Sequence, residues 1–206
     1  MNKAEVKKLM KGKLIAVIRG NDLAEAKVIC KTLVESGITS LEITFSLQGA
    51  EKLISELKKE CPKALIGAGT VLTKKQAELA AINGADFIVS PCIIKEVGAY
   101  CKEHDIFCSM GAATPTEAYE SYMAGSDVVK LFPGDCLSPK MIKNIQAPMP
   151  FIEIMPTGGV DDTNVKNWFE SGAYAAGFGG YLTKGITSSN LDLLKERCEK
   201  LINANK

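Results

Sequence analysis

The sequence predicts an α/β protein folded as a single (β/α)8 TIM barrel. Three observations carry that expectation: short β-rich apolar runs alternate with longer stretches of helical period, eight such runs recur at a spacing of roughly 24 residues, and no Pro/Gly/Ser-rich linker or low-complexity tract divides the 206 residues. The runs are LIAVI (14–18), TSLEITF (39–45), ALIGAG (64–69), DFIVS (86–90), IFCSM (106–110), DVVKLF (127–132), FIEIMP (151–156) and YAAGF (174–178). Eight β-α units of this length fill residues 1–206 and leave no room for a second domain.

The leading segment Asn2 to Met10 is expected to form a short extra helix across the barrel bottom. Between the first two runs, Leu23, Ala26, Ile29, Cys30, Leu33 and Val34 fall on one helical face, and Ser36-Gly37 ends that helix. Asn83-Gly84 and Ser171-Gly172 punctuate two others. The clearest helix start is Thr114-Pro115-Thr116-Glu117, where Thr caps, Pro takes the first helical position and Glu completes a capping box; Gly125 stops the helix. A doubly wound sheet is the competing arrangement, but it needs a glycine fingerprint at its first crossover. Gly67-Ala68-Gly69 begins like one, yet Leu72 stands at the third glycine position and the motif follows the third run, so dinucleotide binding is not expected.

Twenty-five Lys and Arg against 24 Asp and Glu leave a formal charge of +1, which argues against nucleic acid or an anionic membrane surface as partner. The five apolar residues of LIAVI, interrupted by Arg19, fall far short of the ~18 needed for a membrane span and are too few for a secretory signal core. A cytoplasmic location is expected. Seven scattered cysteines with no C-x-x-C read as reduced thiols, mostly in the core. Zinc needs clustered ligands, and a single histidine, His104, expected at the surface near a helix end, provides none; no protein-held metal and no cofactor are expected.

Strands of a closed parallel barrel are covered on both faces, so an ionisable residue inside one needs a reason. In the second run Leu41, Ile43 and Phe45 share one face, and Ser40, Glu42 and Thr44 the other. The apolar set must meet the helices, which sends Glu42 into the barrel. In the sixth run Lys130 shares a face with Val128 and Phe132 and is expected to point inward as well. Strands two and six stand opposite each other, and alternate strands feed one interior layer, so the two charges can meet near the top. A buried ion pair often stabilises a fold no better than two apolar residues of equal volume, which favours a chemical role over a structural one. Burial disfavours the ammonium form of a lysine, and a neutral amine attacks carbonyls to form a Schiff base, with the carboxylate as general acid and base. Carbon–carbon bond chemistry beside a ketone follows.

Other strand ends supply binding groups. Gly158-Gly159, ahead of a helix expected to start near Asp161, and Gly179-Gly180 follow the seventh and eighth runs, where such barrels often hold phosphate, though glycines there also serve as plain turn residues. Arg19 ends the first run and is read either as a forked partner for a substrate carboxylate or as a surface arginine. Thr70 and Pro91 lie at strand ends. Thr157 shares a face with Glu153, which is nearer its strand's start and the weaker acid-base candidate, and Cys92, near the rim, is given no role.

These residues resemble the 2-keto-3-deoxy-6-phosphogluconate / 4-hydroxy-2-oxoglutarate (KDPG/KHG) aldolase family of class I pyruvate aldolases. The likeness runs through LEITF around Glu42, IGAGTV around Thr70, FIVSP ending at Pro91, GAATPTE from Gly111, VVKLFPG around Lys130, PTGGV from Pro156 and GFGGYLTKG from Gly177. It implies Lys130 as the Schiff-base lysine, Glu42 as general acid/base, Thr70, Pro91 and Phe132 around pyruvate, and Gly158, Gly159, Gly179 and Gly180 bordering the phosphate; Thr157 is expected among the substrate-binding residues as well. It also implies a homotrimer. Two positions depart from the family pattern. Ser46 stands where many members carry an arginine, a role that a subset gives to an arginine matching Arg19, and Gly180 replaces a frequent phosphate-binding serine. The activity implied is reversible cleavage of a 2-keto-4-hydroxy acid to pyruvate and an aldehyde such as glyceraldehyde 3-phosphate or glyoxylate. A sugar-phosphate isomerase or epimerase using Glu42 as base, and a barrel that binds a sugar phosphate or a protein partner without turnover, remain open beside it.

Overall fold

The computed structural model describes residues 1–205; Lys206, the last residue of the expected 1–206 barrel, lies outside the described residues. The order is α1 (Lys3–Met10), β1 (Leu14–Ile18), α2 (Leu23–Glu35), β2 (Ser40–Thr44), α3 (Ala50–Glu60), β3 (Leu65–Gly69), α4 (Lys74–Ile82), β4 (Phe87–Ser90), α5 (Lys95–Glu103) and β5 (Phe107–Ala112). It continues with α6 (Pro115–Met123), β6 (Val129–Leu131), a 3₁₀ turn (Gly134–Cys136), α7 (Lys140–Gln146), β7 (Ile154–Pro156), α8 (Val165–Glu170), β8 (Ala176–Phe178), α9 (Gly180–Thr183) and α10 (Leu191–Ala204). All strand pairs are parallel, in the order β7-β6-β5-β4-β3-β2-β1-β8, and a single bridge between Thr157 and Gly177 joins the two ends. This is the expected (β/α)8 barrel, nearly closed.

Each expected run meets one strand: β1 has the expected bounds, and the others differ at one or both ends. β5 runs on to Ala112, whereas Phe151 and Ile152 precede β7 in a turn. Ile152 is fully buried there, so its apolar character reflects packing rather than strand pairing. At α6, Thr114 accepts from the Glu117 N–H at 3.2 Å, but the Glu117 carboxylate reaches the Ala113 N–H at 2.8 Å instead of closing a reciprocal box. Gly125 follows that helix at φ +114°, a conformation other residues rarely adopt. The reciprocal box occurs at α1, between Asn2 and Glu5.

The strands separate two cores. Outward residues such as Leu41, Ile43, Ile66 and Leu131 pack against helical Ile29, Leu33, Leu53 and Ile142. Inward residues Ile15, Leu65, Phe87, Phe107 and Val128 pack with Val6 and Met10 of α1, which closes the bottom. Ion pairs Lys3–Asp127 (3.2 Å) and Lys7–Glu153 (2.6 Å) tie α1 to the strand starts. Glu153 is thereby committed to the floor, remote from the mouth.

Strand register stacks the inward side chains in tiers drawn from alternate strands. Above the floor, Ser40, Phe87, Val128 and Ala175 form one tier; Ile15, Gly67, Ser109 and Met155 form the next. Glu42, Val89, Lys130 and Gly177 follow, then Val17, Gly69, Gly111 and Thr157, with Arg19 above them at the mouth. Close approaches agree with this stacking. A methyl group added at Gly67 would strike Phe87, at Gly69 the Glu42 carboxylate, at Gly177 the Thr157 side chain and at Gly179 the Arg19 guanidinium, each contact crossing between adjacent tiers.

Candidate active site

Lys130, at the middle of β6, and Glu42, at the middle of β2, meet across the barrel axis with Nζ 3.5 Å from Oε1. Their side chains are 3% and 1% exposed, so water screens the pair little. The Phe132 ring, two residues along the lysine's face, has its centroid 5.4 Å from Nζ, within cation–π range. Gly69 makes the arrangement possible, because the Glu42 carboxylate occupies the place a side chain at 69 would take. Gly67 likewise admits the Phe87 ring, so the Gly67-Ala68-Gly69 spacing serves interior packing.

Other expected residues surround the mouth. Thr70, just past β3, is held at φ +54°, a left-handed conformation uncommon for a β-branched residue and the kind of local strain found at functional sites. Pro91 and Phe132 are half-buried and line a cavity of about 300 Å³ together with Cys92, Gly111, Ala112 and Glu117. Hydrogen bonds from the Ala113 N–H and the Thr114 hydroxyl hold the Glu117 carboxyl below the usual carboxylate range. Thr157 is 1% exposed and its Oγ1 has no hydrogen-bond partner.

Arg19 is exposed at the end of β1 and lies over Gly179. The Ile18 carbonyl before it accepts from the buried Thr44 hydroxyl at 2.7 Å, and Ser46 Oγ is 2.7 Å from Thr44 Oγ1. The chain leading into Arg19 is thus fixed from β2. Thr44 was not singled out from sequence, although the signal was available: it shares the inward face of Glu42.

Gly159, Gly179 and Gly180 border one cavity of about 370 Å³ with Tyr181 and Lys184, and Gly158 packs beside it against the turn at Gly134. Gly158 and Gly159 have φ of +93° and +64°. The helix expected near Asp161 begins only at Val165. Asp161 accepts from the Thr163 N–H at 2.9 Å and Asn164 from the Asp161 N–H at 3.1 Å, and these side-chain bonds hold the segment as a turn. His104 caps the C-terminus of α5, as expected. Among the described residues, no group of three or more His, Cys, Asp and Glu side chains gathers at metal-ligand spacing.

The sequence model of the KDPG and KHG aldolase family matches residues 6–196. The chain belongs to that family. It is 34% identical over 171 residues to 2-dehydro-3-deoxy-6-phosphogalactonate aldolase of Escherichia coli, covering 82% of this chain and 83% of that one. It is 31% identical over 187 residues to 2-dehydro-3-deoxy-phosphogluconate aldolase of Haemophilus influenzae, covering 90% and 88%. The crystal structure of KDPG aldolase from Legionella pneumophila, with pyruvate captured as a covalent carbinolamine, superimposes with a TM-score of 0.86 at 27% identity over 98% of both chains. Family membership accounts for the barrel. The chemistry must come from the groups gathered at its mouth.

Proposed function

We propose that this family member is a class I aldolase that cleaves a 2-keto-4-hydroxy acid reversibly to pyruvate and an aldehyde, with Lys130 as the Schiff-base nucleophile and Glu42 as the general acid/base. The observation that carries the assignment is the buried Lys130–Glu42 pair, 3.5 Å apart at the barrel centre. The neutral Lys130 amine adds to the C2 carbonyl, and loss of water from the carbinolamine gives the iminium. Glu42, through a water, removes the C4 hydroxyl proton; the C3–C4 bond breaks, its electrons pass into the iminium to form the enamine, and the aldehyde leaves. Protonation at C3 and hydrolysis release pyruvate and restore the amine.

In this reading Thr70, Pro91 and Phe132 enclose the pyruvate portion, Thr157 faces the substrate from the tier above Lys130, and Arg19 supplies a guanidinium for a substrate anion. Gly158, Gly159, Gly179 and Gly180 offer close backbone approach to the far end of the substrate, 2-dehydro-3-deoxy-6-phosphogluconate or 4-hydroxy-2-oxoglutarate. A lactate dehydrogenase-coupled assay over phosphorylated and unphosphorylated 2-keto-4-hydroxy acids tests the assignment. Pyruvate release from at least one of them is expected, and none from any of the panel would overturn it.

The reading includes a homotrimer in a reducing cytoplasm. Seven free cysteines suit that compartment, and no helix among the described residues is long and apolar enough to cross a membrane. Tyr119, Tyr122, Met123 and Phe151 expose apolar surface of the kind that subunit contacts cover. Sedimentation equilibrium is expected to give three times the 22.1 kDa chain mass, and a monomer at micromolar concentration would remove the trimer.

A further inference from the structure

Below the tier of Lys130 and Glu42, two inward hydroxyls lie without a partner. Ser40 on β2 and Ser109 on β5 are fully buried, and neither Oγ makes a hydrogen bond. The positions around them are apolar or glycine: Ile15, Gly67 and Met155 share the tier of Ser109, and Phe87, Val128 and Ala175 that of Ser40. Alanine would fill either place without burying a hydroxyl. A buried polar group of this kind is normally satisfied by an ordered water with two to four polar partners.

The tier directly above Ser109 holds Lys130 and Glu42. Gly111, two residues beyond Ser109 on the same face, pairs with Lys130 in register, so Ser109 stands one tier below the lysine on the adjacent strand. Ser40 stands two residues below Glu42 on the same face of β2. A neutral amine has two N–H groups and one lone pair. Glu42 Oε1, to one side, is the only hydrogen-bond partner of Nζ among the described residues. A second acceptor below fixes rotation about the Cε–Nζ bond and leaves the lone pair pointing up, toward the mouth where a carbonyl arrives.

We infer that Ser109 is a positioning residue for the Schiff-base step: with Ser40 it holds a buried water that accepts from the second N–H of Lys130 and donates to the Ser109 hydroxyl, which aims the lone pair at the substrate ketone. The inference rests on the Schiff-base reading proposed above. It adds a group that never touches substrate but sets how often the nucleophile is correctly oriented.

The test is borohydride trapping of pyruvate on the full-length protein, with the initial rate of adduct formation followed against pyruvate concentration for wild type, Ser109→Ala and Ser109→Thr. Ser109→Ala is expected to keep half-saturating pyruvate within about twofold while its maximal trapping rate falls about 10-fold; Ser109→Thr, which keeps the hydroxyl, recovers to within about threefold of wild type. A wild-type maximal rate in Ser109→Ala would overturn the inference whatever the melting temperature does. So would equal slowing in both variants, which would assign the loss to packing. If Ser109→Thr fails to fold, Ser109→Cys replaces it: a thiol fills the space but accepts weakly, so it must be as slow as Ser109→Ala, and a wild-type rate there overturns the inference. Absence of adduct in wild type would instead refute the Schiff-base reading.

Discussion

Lys130→Met is expected to yield a folded barrel that takes up no pyruvyl group under borohydride and loses activity on the order of 10⁵-fold. Methionine keeps an unbranched chain of similar length and removes only the amine. The wild-type protein, treated with pyruvate and borohydride, is expected to gain one reduced pyruvyl group that peptide mapping places on Lys130. Other lysines are poor substitutes: Lys58, which pairs with the buried Asp86, is 26% exposed against 3% for Lys130, and Lys3 and Lys27 are more exposed still. Removing one member of a buried pair leaves the other uncompensated, typically at about 3–5 kcal/mol, so thermal melts must accompany the kinetics. The double variant Lys130→Met/Glu42→Gln removes both charges and separates stability from chemistry. Adduct formation in a folded Lys130→Met protein would move the nucleophile elsewhere.

The inward orientation of this pair was legible because a strand buried on both faces has no ordinary use for Glu42 or Lys130, and the period of two left Leu41 and Ile43 to meet the helices. It held for Lys130 although β6 comprises only three residues. Beyond the shared layer of Glu42 and Lys130, tier relations were not legible. Which residue lies above which depends on the offset between neighbouring strands, and a strand's own sequence carries no record of it. The functions of Gly67 and Gly69 were hidden for that reason, as was the place of Ser109 beneath the lysine. Local side-chain bonding defeated a different expectation. Asp161 and Asn164 tie up the backbone after Gly159, so the segment turns where composition suggested a helix. Arg19 stands where expected at the end of β1, but its place over Gly179 follows from the pairing of β1 with β8, strands distant in sequence.

Glu42→Gln is expected to lower turnover by roughly 10²–10⁴-fold while the fold survives. Glutamine has nearly the shape of glutamate, so it fills the space left by Gly69 and can still accept a hydrogen bond from Lys130, but it cannot take up a proton. The steps that need proton transfer should therefore suffer more than the step that needs the amine. Pyruvate trapping on Lys130 should persist in Glu42→Gln, with slow exchange of the C3 protons of pyruvate into deuterated water and slow release of pyruvate from the 2-keto-4-hydroxy acid. Exchange reports enamine formation without any aldehyde, so it isolates the proton transfer at C3 from recognition of the distal substrate. Equal loss of trapping and exchange would mean that Glu42 chiefly places the lysine. Wild-type cleavage by Glu42→Gln would remove the carboxylate from the mechanism and leave the buried pair as a structural contact.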